Sequence, residues 1–239
     1  HIKDFMGFLY ESDGLNMGEL YQIEWAYLEL FTNREGIKPK ALQLKLETEP
    51  EFFCELLTYI YKRDLDQRDQ IKPGAKEDLK VDENISRQVW KLIHYWCVSS
   101  KFADKEYSGE HFQTWVVESL DKAKKLGRYD IAQLTIGEAL YSAPADGRLW
   151  IHKAVAEVLE KPEMDSMRRG FALGLRNSRG VHSVDFSGNK DREIAAGYKE
   201  KAEALEAEGF VKLATTVRDI ATSYEDDALH VAERFGRDE

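Results

Sequence analysis

The chain has 239 residues, 43% of them hydrophobic, 33% charged and 11% aromatic, with a formal net charge of −10. At roughly 150 residues per domain this is one large domain or two small ones, and the aromatic content excludes disorder. The acidic balance argues against nucleic acid, which needs a concentrated positive face, and no apolar run approaches the roughly 20 residues that span a bilayer.

The first residue, His1, sits in an apolar pattern with Ile2, Phe5, Met6, Phe8 and Leu9, and the chain reads as a fragment of a longer protein. Asn16 and Glu19 have capping-box spacing. The helix they open carries Leu20, Ile23, Tyr27, Leu30 and Phe31 on one face, with Trp25 and Leu28 beside it. Pro39 suits a first helical turn, and Ala41, Leu42, Leu44 and Leu46 follow. Thr48 and Glu51 form a second capping-box pair, with Pro50 in the first turn of an apolar helix through Phe52, Phe53, Leu56, Leu57, Ile60 and Tyr61. Arg63 to Lys80 differs in kind: it has no aromatic residue, few apolar ones and a Pro-Gly pair, and reads as a mobile charged linker. The division expected is therefore a helical subdomain over 1–62, a linker over 63–82 and a main helical domain over 83–239.

Helical spacing resumes with Ile85, Val89, Leu92, Ile93 and Trp96, and a turn-rich stretch covers Ser99 to Gly109. Phe112, Trp115, Val116, Leu120 and Ala123 line the next helix, which closes on a lysine cluster that suits the helix dipole. Further helices carry Ile131 to Leu140, Ile151 to Leu159 and Met164 to Leu175. After the interruption Arg176 to Arg192, two long helices carry Ile194 to Leu205 and Phe210 to Ala228. Strand signals are nearly absent; Val181 to Phe186 alternates only weakly, as a short hairpin arm would. The segment Gly127 to Pro144 has tetratricopeptide features, but its Pro and Tyr offsets fail and no second copy exists. The fold class is all-α: an irregular antiparallel helical array, a repeat-like bundle with little or no sheet. Trp90, Trp96, Trp115 and Trp150 are expected to be mostly buried.

Chemistry-bearing patterns are sparse. His94 and Cys97 stand one helical turn apart, but the other cysteine, Cys54, has no partner at metal spacing, so no metal and no cofactor is expected. With two cysteines a disulfide framework is not expected, and a reducing, cytoplasmic setting is. No nucleophile elbow and no phosphate-cradling glycine loop is visible, and no catalytic residue is expected in this fragment. Gly170 and Gly174 lie in a helix interior, where each costs about 1 kcal/mol relative to Ala, so a close backbone approach is expected there.

The segment from Arg168 to Arg192 stands out. Arg168, Arg169, Arg176 and Arg179 gather in an acidic chain, with His182 just beyond. Arginine suits bidentate recognition of carboxylate or phosphate, so the functional reading is an anion or partner site, closed by Asn177 or Gly180 in a left-handed conformation. The alternative is structural: these arginines cap helix ends and pair with Asp185, Asp191 or Glu193.

Five strings, QIEWAYLEL (Gln22 to Leu30), EPEFFCELLTYIY (Glu49 to Tyr61), IGEALYSAPADG (Ile136 to Gly147), RGFALGLRNSRGV (Arg169 to Val181) and DREIAAGYKEKAEAL (Asp191 to Leu205), together resemble the C-terminal helical region of large uncharacterised bacterial multidomain proteins, some of them signal-transduction or defence-type NTPases. The linker is longer and more charged than that pattern. The resemblance implies a helical module that follows other domains in an intracellular bacterial setting, and it carries no active-site residues. The expected function is a non-catalytic interaction or sensing module. Its partners would be a protein or upstream domains of the same chain, with no membrane and no nucleic acid. The alternative is a regulatory domain that binds nucleotide or nucleic-acid phosphates through Arg176 to Arg179.

Overall fold

A computed structural model describes residues 2–11, 15–32, 39–63, 82–94, 96, 109–180, 185 and 187–235. Among these, all regular structure is helical: twelve α-helices and one 3₁₀ turn, with a single isolated bridge between Asp146 and Leu149. The all-α expectation holds. No helix among the described residues is long and apolar enough to cross a membrane. The greater part of the expected linker, the turn-rich stretch before Gly109, Cys97, His182 and all but Asp185 of the Val181 to Phe186 arm lie outside the described residues.

The chain forms two compact units, one from residues 1–96 and 115–129, the other from 97–114 and 130–239. The first unit thus takes in residues 83–96 together with the N-terminal helices.

In the first unit, α1 (Ile2–Glu11), α2 (Met17–Ala26), α3 (Leu28–Thr32), α4 (Lys40–Thr48), α5 (Pro50–Ile60) and α6 (Glu83–His94) join the part of α7 (Gly109–Lys125) from Trp115 onward. The capping box of α2 is present: Asn16 Oδ1 accepts from Gly18 N–H at 2.9 Å and Glu19 N–H at 3.1 Å, and Glu19 accepts in return from Asn16 N–H. Pro50 occupies the first turn of α5. The second capping box is absent. Thr48 ends α4, its hydroxyl donating to Leu44 O at 2.8 Å, and Glu51 pairs with Lys122 at 2.6 Å. A tertiary cation outcompetes the local contact. Asp82 caps α6, Val89, Leu92, Ile93 and Trp96 are buried, and Trp96 packs against Phe53 and Trp115. Trp96 and Trp115 are buried as expected and Trp150 is half-buried. Trp90, at 44% exposure, and Ile85, at 46%, are not buried: both stand off the covered stripe.

The second unit holds α8 (Tyr129–Ala139, from Asp130), a 3₁₀ turn (Leu140–Ser142), α9 (Lys153–Glu160), α10 (Asp165–Asn177), α11 (Asn189–Ala207) and α12 (Val211–Phe235). Helices α11 and α12 form an antiparallel hairpin turned at Gly209, whose φ is +90°. Buried alanines recur every seventh residue on both arms, Ala195 and Ala202 on one, Ala214, Ala221 and Ala228 on the other. Small side chains at that period let two backbones run close together. The glycines of α10 also serve close approach. A Cβ at Gly170 would lie 2.0 Å from Leu134 O, and one at Gly174 2.4 Å from Glu138 O.

Candidate functional site

On α2, Tyr21 and Trp25 are four residues apart and so share a face. Their rings stack at 6.3 Å. On α5, Phe52 and Tyr59 are seven apart and share a face likewise. The two pairs meet. Phe52 lies edge-on to Tyr21 at 5.7 Å and to Trp25 at 6.2 Å, and Trp25 stands 6.4 Å from Tyr59 at a 44° tilt. Phe52 is buried and forms the floor, while Tyr21, Trp25 and Tyr59 are half-buried and form the surface. From α4, the Lys45 ammonium sits 4.0 Å over the Tyr21 ring and 5.2 Å from Phe52, with Glu49 3.5 Å away. Beside this row, Met17, Gly18, Tyr21, Ala41, Leu44 and Lys45 line an open cleft of about 180 Å³.

The electrostatics of this face are anionic. Burial first, and then the carboxylates of Glu55 and Glu49, push the Tyr21 hydroxyl above its usual pKa. The Tyr59 hydroxyl is raised by burial and by its 3.0 Å hydrogen bond to Glu55. Half-exposed Tyr and Trp rings offer large contact area at small entropic cost and are the side chains most enriched where proteins bind each other. None of this row was singled out from the sequence. The signals were the Tyr21/Trp25 and Phe52/Tyr59 spacings, both masked by the helix core pattern around them.

The arginine segment is arranged otherwise. Arg168 is buried at 7% exposure: its Nη1 donates to Leu159 O at 2.7 Å and Lys161 O at 2.8 Å, closing the end of α9, and its Nη2 donates to Asp165 at 3.3 Å. Arg179 donates to Asp191 at 2.6 Å, with its guanidinium 5.3 Å from the Tyr224 ring centre. Arg176 stands 3.9 Å from Asp227, and Arg169 is exposed. His182 lies outside the described residues. Gly180 takes the left-handed conformation at φ +64°. At the start of α11, Asp185 accepts from Lys190 N–H at 3.0 Å and from Ser187 N–H at 3.2 Å. Those hydrogen bonds hold the Asp185 carboxyl below the usual range. So a carboxylate of this chain already occupies the position an external anion would take at that helix start, and Arg168, Arg176 and Arg179 face three different acidic partners.

His94 stacks on Trp90 at 3.8 Å, its Nδ1 2.9 Å from Trp90 O. Burial pushes the Cys54 thiol up to about 11 and its Sγ–H donates to Ser119 O, the opposite of an activated nucleophile. No group of three or more His, Cys, Asp or Glu able to hold a metal occurs among the described residues. Comparison with family models, with curated proteins and with solved structures finds no match, so the resemblance to bacterial NTPase-linked helical regions rests on the quoted strings alone.

Proposed function

We propose that this chain is a non-catalytic helical module that binds a protein partner through the aromatic face of α2 and α5. One observation carries the reading: Tyr21, Trp25 and Tyr59 stand half-exposed in an ordered row over the buried Phe52. A fold that needed these rings only for packing gains most by covering them fully, since fully burying one large apolar side chain is worth roughly 1.5–3 kcal/mol. Rings left at the surface in contact with each other form a rigid platform instead, with two polar tips at its edge. If the chain is a module of a larger protein, that protein's other domains supply any chemistry.

The phosphate-binding alternative has no comparable support, because Arg168, Arg176 and Arg179 face carboxylates of the same chain. A random peptide display library panned against the whole chain tests the proposal. A consensus peptide should be enriched, and its binding should be lost with Trp25→Ala or Tyr59→Ala while the circular dichroism stays native. Enriched peptides that bind both variants as well as the parent would overturn it.

A further inference from the structure

Resting on that reading, we infer that the partner presents an arginine to this face, its guanidinium stacked on the Trp25–Tyr59 rings and hydrogen-bonded to Glu55. Three observations within the first unit point to a cation. The same aromatic row already holds one: the Lys45 ammonium lies over Tyr21 and Phe52, so these ring faces are placed to receive positive charge. That lysine sits at the Tyr21 end, and Trp25 and Tyr59 continue the row beyond it. At this second end the charge is negative. Glu55 is exposed, one turn of α5 from Tyr59, and takes the Tyr59 hydroxyl on its Oε1.

Charge complementarity therefore selects a basic side chain over an acidic or purely apolar one. An indole face with a carboxylate close beside it favours arginine over lysine. A planar guanidinium stacks flat on an indole and still directs N–H groups sideways to a carboxylate, whereas an ammonium is a compact and more strongly hydrated point charge. The net charge of −10 adds long-range attraction for a basic segment without adding site specificity.

The test must separate that general attraction from the site. The probe is acetyl-(Arg-Gly)₃-amide, with the same peptide carrying citrulline, which is nearly isosteric and uncharged, or lysine in place of arginine. Titration into the full chain is followed by calorimetry and by indole N–H shifts in NMR. The arginine peptide should bind and shift the Trp25 indole resonance, the lysine peptide should bind several-fold more weakly, and the citrulline peptide should not bind. Trp25→Leu and Tyr59→Leu leave the net charge unchanged and should each weaken binding by about tenfold, as loss of one well-placed cation–π contact does. Glu55→Gln, at an exposed position, should weaken binding several-fold and guards against misfolding of the ring variants. Equal binding by parent, Trp25→Leu and Glu55→Gln would show attraction to net charge alone and overturn the inference, as would no binding at millimolar peptide. An apolar or acidic display consensus that still depends on Trp25 would overturn the arginine and leave the binding face standing.

Discussion

Glu24 shows how much one side chain can organise. It is fully buried, and its carboxylate accepts from the Tyr10 hydroxyl at 2.6 Å, Ala41 N–H at 3.1 Å and Leu42 N–H at 2.7 Å. Helix α4 starts at Pro39 without a cap of its own, so Glu24 supplies one from α2 and ties α1 in through Tyr10. Glu24→Ala strands two backbone donors in the interior and should cost about 2–3 kcal/mol in urea unfolding. Burial raises the Glu24 carboxyl above its usual range, and its hydrogen bonds, that from Tyr10 first, hold back part of that rise. A raised folded pKa means this group's contribution is full below the unfolded value and declines as pH rises through the folded one. Glu24→Gln should therefore cost more at pH 4 than at pH 7, and an equal cost at both would contradict the raised value. Arg179 and Arg176 make a second pair of cases. Arg179 meets Asp191 with both side chains at or below 20% exposure, whereas Arg176 and Asp227 are about half exposed. Arg179→Ala should lower stability by about 1.5–3 kcal/mol, the range for a hydrogen bond to a charged group. Arg176→Ala should change it by less than about 0.5 kcal/mol. Equal effects in thermal melts would mean that the two arginines share one role.

At the scale of elements, the recurring device is a helix end closed by a side chain from elsewhere. Glu160 accepts from Lys212 and Leu213 N–H at the start of α12, at 3.0 and 3.1 Å. Gln133 accepts from Met167 N–H at the start of α10 and donates to Glu163 O. Arg128, 3% exposed, donates to Tyr61 O after α5 and to Leu126 O after α7. Each cap also fixes where one helix sits against another, which is how irregular crossings become specific. The α8–α10 crossing is set by glycine. Gly170→Ala must push a Cβ into Leu134 O and should destabilise by about 1–3 kcal/mol despite the better helix propensity. Gly197, in α11, has nothing within 4 Å of such a Cβ, so Gly197→Ala should stabilise by about 0.5–1 kcal/mol. Denaturant midpoints moving the same way in both variants would mean that helix propensity alone governs these positions.

For the whole molecule, the first unit is discontinuous in sequence, and its core needs residues from α7. Trp115 packs 5.5 Å from Phe53 and 5.7 Å from Trp96, and Arg128 closes α5. A fragment of residues 1–129 should therefore melt cooperatively by circular dichroism, and a fragment of 1–96 should not. A cooperative melt of 1–96 would show that Trp115 to Tyr129 is dispensable to that core. In the full chain, Trp115→Ala should cost about 3–5 kcal/mol, since the residue is 4% exposed.

The sequence alone determined what depends on neighbours a few residues apart. The helical class, the Asn16–Glu19 box, the proline in the first turn of α5 and the close approach at Gly170 and Gly174 follow from spacing and backbone freedom, which also narrowed the left-handed closure to Asn177 or Gly180, the structure placing it at Gly180. Tertiary structure decided the rest, because the partners are far apart along the chain: 18 residues from Glu24 to Leu42, 34 from Gln133 to Met167, 67 from Tyr61 to Arg128. The arginine segment stood out in composition, and Asp191 was among the partners its sequence offered, but Asp165 and Asp227 became visible as partners only in three dimensions. The aromatic face was hidden for a related reason. Trp25 reads as flank of one helix and Phe52 as core of another, Tyr21 and Tyr59 stand in neither apolar stripe, and only the packing of α2, α4 and α5 makes them one surface.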